Sequence, residues 1–192
     1  PAITRGTSFL KDSMGKGVFG SGITIVEDPH RQRGLRSRPF DGEGLETRAN
    51  ELISGGELTT WLLDCRSARQ LELAPTGHAT RGTSGSPSPS PANLWLEPGT
   101  ETPEALMADI KDGLYVTYLI GFGVNGVTGD YSRGAAGFRI QNGELTDTVS
   151  EITIAGNLID MYANLIPAND LQFLFGTDSP SVRIDGMTVA GV

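Results

Sequence analysis

Apolar and polar positions alternate along this chain in short blocks, and the blocks are separated by glycine, proline and small polar residues. That pattern reads as strands rather than long helices. Gly22-Ile-Thr-Ile-Val26, Asn93 to Glu97 and Leu114 to Ile120 each fit one strand. Leu45 to Ile53 and Leu58 to Leu63 flank Ser54-Gly-Gly-Glu57, a hairpin signal. Gly137 to Gln141 and Glu144 to Ile154 flank Asn142-Gly143, the strongest hairpin signal in the chain. Leu171 to Phe175, Ser181 to Asp185 and Met187 to Ala190 close it as short strands.

Helical spacing is rarer. Ser67 to Leu73 predicts a short helix with Ser67 as its cap. A second begins at Thr102, with Pro103 in the first turn, Glu104 at the positive end, an apolar face of Leu106, Met107 and Ile110, and Gly113 as the stop. Gly156 to Leu165 predicts a third. Thr7 to Lys16 reads as the end of an element begun upstream, and residues 82–91, rich in proline, serine and glycine, as an exposed loop. The sum is an α+β, β-dominated domain: many short, mostly antiparallel strands in a barrel- or sandwich-like sheet, with three short helices.

Composition narrows the class. The chain has 192 residues, enough for one domain with a real core, and 38% hydrophobic and 20% charged residues, as in globular proteins. No apolar run reaches membrane-spanning length, and Pro1 to Leu10 lacks a secretory pattern. The missing initiator Met suggests a fragment or a processed chain. The net charge of −8 opposes binding to phosphate backbones. Arg31, Arg33, Arg36 and Arg38 form a local basic stretch, read as a solvated loop rather than a nucleic-acid patch. Cys65 is the only cysteine, which excludes an intrachain disulfide; it reads as a buried small hydrophobe ahead of a reactive thiol.

A zinc peptidase needs nitrogen, sulfur or carboxylate ligands around an open position. The two histidines, His30 and His78, lie far apart in sequence, neither in a His-Glu-x-x-His helix. Both read as structural or surface residues, with a mixed site built from both plus Glu27 or Asp28 left open. Ser132 has no nucleophile elbow. The carboxylates at Glu27/Asp28, Asp41/Glu43 and Asp109/Asp112 read as solvated. The most informative stretch is Asn125 to Phe138, where glycines at 126, 129, 134 and 137 surround Asp130, Tyr131, Ser132 and Arg133. It reads either as a Gly-punctuated strand-loop-strand, with Asp130 bonded to Arg133 and Tyr131 in the core, or as a substrate or partner groove.

The same stretch, Gly129-Asp-Tyr-Ser-Arg-Gly-Ala-Ala-Gly-Phe138, with Asn142-Gly-Glu144 and Val149 to Leu158, resembles the C-terminal domain of the TldD/PmbA family, in its PmbA (TldE) branch. Asp12-Ser-Met-Gly-Lys16, Ile25-Val-Glu-Asp-Pro-His30, Arg38-Pro-Phe-Asp-Gly-Glu-Gly44, Ser67-Ala-Arg69 and Thr76-Gly-His-Ala79 match in register, so the resemblance covers essentially residues 1–192 as a single C-terminal domain. It implies that this is a fragment lacking the family's N-terminal domain. In the TldD branch a His-Glu-x-x-x-His motif upstream and a C-terminal cysteine hold the metal. This chain has no cysteine after Gly156. The implied role is the non-catalytic, cytoplasmic subunit of a TldD–TldE-type metallopeptidase complex that degrades unfolded peptides. Zinc would sit on a TldD-like partner, this chain would hold no cofactor, and assembly would be a homo- or heterodimer without nucleic acid or membrane. Asp130, Tyr131, Ser132 and Arg133 are the candidate peptide or partner surface that would fit that role. The alternatives are a zinc metallopeptidase with its motif upstream, and a regulatory adaptor linked to gyrase or an antitoxin.

Overall fold

The computed structural model describes residues 2–191, which contain thirteen strands and three short helices. The chain divides into two compact units. The first comprises residues up to Glu97 together with Leu171–Ser179, and the second Pro98–Asp170 together with Pro180 onward.

The first unit contains β1 (Ile25–Glu27), β2 (Asn50–Ser54), β3 (Glu57–Leu58), α1 (Cys65–Gln70), β4 (Ala79–Thr80), β5 (Ser88–Pro89) and β6 (Leu94–Leu96); a later strand, β11 (Thr177–Asp178), joins them. Its main sheet has the order β11-β6-β1-β2-β3, and only the β11–β6 pairing is parallel. Ile53 and Leu58 are buried directly opposite one another across the predicted Gly55-Gly56 turn. Ala68, Ala79, Ala92 and Leu96 add to this unit's core. β4 and β5 pair with each other, so part of the expected 82–91 loop is a strand. The prolines allow this because the ladder is short and two-stranded.

The second unit contains α2 (Pro103–Met107), β7 (Asp112–Ile120), β8 (Asp130–Gln141), β9 (Glu144–Asn157), α3 (Leu158–Ala163), β10 (Leu165–Pro167), β12 (Val182–Ile184) and β13 (Thr188–Ala190). A four-stranded antiparallel sheet of order β13-β9-β8-β7 carries its core, centred on Ala135, Ile152 and Ile154. Asn142 and Gly143 have φ of 50° and 84°, the two positive values that a tight hairpin turn between right-twisted strands requires. β10 and β12 form a separate ribbon. The β-dominated, mostly antiparallel architecture follows the sequence pattern. Among the described residues every sheet is open, so the barrel alternative is not taken.

Several boundaries move for identifiable reasons. The cap of α1 is Asp64, whose Oδ1 accepts the Ser67 N–H at 2.7 Å; Ser67 is buried inside the helix rather than at its start. α2 ends at Met107, not Gly113, because the Ile110 and Lys111 carbonyls already accept the N–H groups of Gly143 (2.9 Å) and Asn142 (3.0 Å). Gly113 belongs to β7, and no residue of α2 is fully buried. Leu171 to Phe175 is not a strand. The Leu174 and Phe175 N–H groups turn back onto Asp178 Oδ1, at 3.0 and 2.8 Å, and the strand starts later. Thr7 to Lys16 is a run of turns closed by local bonds such as Ser13 N–H to the Leu10 carbonyl at 2.9 Å.

Candidate functional site

Asp130 to Arg133 open β8 instead of forming a loop. Side chains on a strand alternate between faces, so Asp130 and Ser132 share one side and Tyr131 and Arg133 the other. Asp130 does not bond Arg133. Its carboxylate accepts the Thr128 hydroxyl at 2.5 Å and the Asn157 amide at 3.2 Å. Asn157 also caps α3 by accepting the Ile159 N–H at 3.0 Å. Asp130 therefore ties the β7–β8 connection to the start of α3. Tyr131 packs against the core of the second unit. Arg133 is half-buried, donates from Nη2 to the Leu119 carbonyl at 3.4 Å, and has a buried Nε without a partner. Tyr131 is thus partly buried against that core, and the Asp130–Arg133 pair of the structural reading does not form.

The groove reading retains part of the cluster. The segment after β7 folds back on β8: the Ser132 N–H donates to the Gly123 carbonyl at 2.7 Å, and Val124 bridges Tyr131. A Cβ on Gly123 would lie 1.4 Å from the Ser132 carbonyl oxygen, so only glycine fits. The result is a depression of about 330 Å³ lined by Phe122, Val124, Asp130, Tyr131 and Ser132. Phe122 is fully exposed, and Tyr118 and Ile120 on β7 are 65% and 52% exposed. β7 itself is a sheet edge with one neighbour.

The first unit holds a network that sequence reasoning missed. Glu27 and His78 are both buried and bond each other through Oε2 and Nε2. The other Glu27 oxygen accepts the Ala92 N–H at 2.5 Å, and His78 Nδ1 lies 2.7 Å from the Thr76 hydroxyl. Asp41 is also buried. It accepts the N–H groups of Glu43 and Leu45 at 2.9 Å and that of Ala79 at 3.0 Å. Burial pushes this carboxyl up, but the Leu45, Glu43 and Ala79 bonds, with Arg38 nearby, hold it below the usual carboxylate range. Glu27 and Asp41 are thus structural hubs and not solvated charges. The usable signal was local: an Asp followed at two and four residues by free N–H groups suits an Asx-type turn.

Cys65 starts α1 and is half-buried, not the buried small hydrophobe expected. Its thiol bonds Glu43, and that bond, burial and the nearby carboxylates of Glu43 and Asp41 push its pKa up. The thiol form is therefore favoured over the nucleophilic thiolate. His30 is exposed, with Nε2 3.1 Å from the Thr47 hydroxyl.

A family model for the PmbA/TldA metallopeptidase C-terminal domain matches residues 1–191. The chain belongs to that family. It is 43% identical over 192 residues to a metalloprotease PmbA of Escherichia coli O157:H7, covering 99% of this chain and 40% of that one. A PmbA homologue from Haemophilus influenzae is 39% identical over 193 residues, covering 99% and 41%. A crystal structure of a candidate DNA gyrase modulator from Thermotoga maritima superposes with a TM-score of 0.84 at 32% identity, covering 98% of this chain and 44% of that one. The chain thus spans about two-fifths of the length of the curated relatives it matches. The PmbA resemblance read from residues 129–144 and its companion blocks is borne out.

The PmbA/TldA family name implies a metal. Among the described residues no three His, Cys, Asp or Glu side chains gather as a ligand set. His78 spends one ring nitrogen on Glu27 and the other on Thr76, with no opening to solvent. The mixed site of both histidines with Glu27 or Asp28 is not assembled. Among the described residues the side chains do not by themselves assemble a complete zinc site. Among the described residues no helix is long and apolar enough to cross a membrane.

Proposed function

We propose that this domain is the non-catalytic, substrate-receiving part of a TldD–TldE-type metallopeptidase complex acting on unfolded peptides, with zinc held by a TldD-like partner. The observation that carries this reading is the state of the histidines: buried His78 has both ring nitrogens engaged, by Glu27 and Thr76, and exposed His30 stands beside the Thr47 hydroxyl with no ligand cluster around it among the described residues. A domain of a metallopeptidase family that does not gather metal ligands contributes walls and assembly surface instead. The edge strand β7 suits that task, because an extended peptide can add to a free edge and place alternate side chains in pockets. The depression beside Ser132 is the pocket closest in kind to that need.

Co-expression of the full-length protein with a TldD-like subunit tests this. The expected result is a complex stable through gel filtration that cleaves an unfolded peptide, while neither subunit cleaves it alone. Failure of the two to associate removes the proposal.

A further inference from the structure

The arginine loop of the first unit has a use that its solvated reading leaves out. Arg31 places its guanidinium 3.8 Å from the centroid of the Phe173 ring. Phe173 also meets Trp95, edge-on at 5.4 Å and 81°. Arg36 runs alongside the same segment: Nη1 donates to the Thr177 hydroxyl at 3.3 Å, and its stem lies against Gly176. The loop is fixed from beneath by buried Asn93. That side chain accepts the Arg36 N–H at 2.9 Å and donates to the Asp28 carbonyl at 2.8 Å and the Ser37 hydroxyl at 2.9 Å. Two arginines are thus held against one segment, Arg31 at Phe173 and Arg36 at Gly176 and Thr177.

Their charge is unspent. Among the described residues none of Arg31, Arg33 and Arg36 pairs with a carboxylate, in a chain whose net charge is −8. Asp28 and Asp178 accept backbone bonds instead, from the His30 N–H and from the Leu174 and Phe175 N–H groups. Next to these cations stand Leu35, Leu174 and Phe175, exposed by 74%, 63% and 68%. Apolar side chains left in water beside unpaired guanidinium groups mark a contact surface. A stacked guanidinium keeps its planar fork free for a carboxylate while its face is satisfied by the ring.

We propose that Arg31 and Arg36, with Phe173, Leu174, Phe175 and Leu35, receive an acidic stretch of polypeptide bearing apolar side chains. Carboxylates bind the two guanidinium groups, and a neighbouring apolar side chain covers Phe175. This rests on the peptide-handling reading above and adds a substrate class to it. A peptide is favoured over a nucleic acid because the exposed Leu35 and Leu174 beside the cations offer apolar contact that a phosphate backbone does not use.

The experiment uses the intact protein without any partner. Trp61→Phe leaves Trp95, which touches Phe173, as the reporter of this unit. Three labelled probes of equal length are titrated: an unstructured Asp/Leu/Gly peptide, its Lys/Leu/Gly counterpart and a single-stranded oligonucleotide. The acidic peptide is expected to bind, to shift Trp95 emission and to weaken as salt rises. Arg31→Ala and Arg36→Ala each reduce its affinity on the order of tenfold, and Arg31→Lys falls between. Equal binding of the lysine peptide, tighter binding of the oligonucleotide, or full affinity in Arg31→Ala overturns the proposal. The peptide series needs no variant at Arg31 or Arg36, so it stands even where one of these fails to fold. Binding here without assembly on a TldD-like subunit sinks the complex, and an active complex indifferent to peptide charge sinks this surface.

Discussion

Glu27 and His78 form the most consequential pair in the first unit. Both are buried, and each satisfies a second group besides the other. Glu27→Ala strands the His78 ring and the Ala92 N–H in the interior, at an expected cost of about 3–5 kcal/mol, read by chemical denaturation. The double replacement Glu27→Leu with His78→Leu should cost less than the worse single one, because no unpaired polar group then remains. Asp41 gives a pH signature. Its folded carboxyl is held below the unfolded value, so its stabilisation is complete above about pH 4 and is lost as pH falls through the folded value. Asp41→Asn should therefore lose about 1–3 kcal/mol at neutral pH, with the gap to the parent protein closing in acid.

The connection between β7 and β8 depends on a single missing methyl group. Gly123→Ala drives its Cβ into the Ser132 carbonyl and should cost about 1–3 kcal/mol, with faster hydrogen exchange at Ser132. By contrast, Ser132→Trp should fold normally, fill the depression and raise KM for peptide cleavage by the reconstituted complex several-fold while changing kcat less. Hairpins were legible in the chain because Gly55-Gly56 and Asn142-Gly143 encode their turns locally. The end of α2 was not, because the carbonyls of Ile110 and Lys111 are claimed by residues over thirty positions away. The start of α1 was misread by three residues, since Asp64 and Ser67 are both competent caps and only burial of Ser67 separates them. Asp130 to Arg133 were recognisable as a block, but their strand geometry, which sends alternate side chains to opposite faces, was hidden by the glycines around them.

At the level of the whole molecule, the family reading and the physical reading converge from different residues. The family blocks include Ile25 to His30 and Thr76 to Ala79, and these turn out to contain the buried Glu27–His78 pair. The pair is buried in the first unit, and its bonds to Thr76 and Ala92 as well as to each other leave neither residue available to a metal. What sequence could not supply was that Arg31 and Phe173, distant in the chain, would stack in the same unit. The central claim is that this domain receives peptide and does not cut it. Its most direct test is zinc content and peptide hydrolysis measured together on the purified full-length protein, first alone and then with a TldD-like subunit. The account predicts no bound zinc and no cleavage alone, with both appearing in the complex; one zinc per chain and cleavage by the protein alone would contradict it.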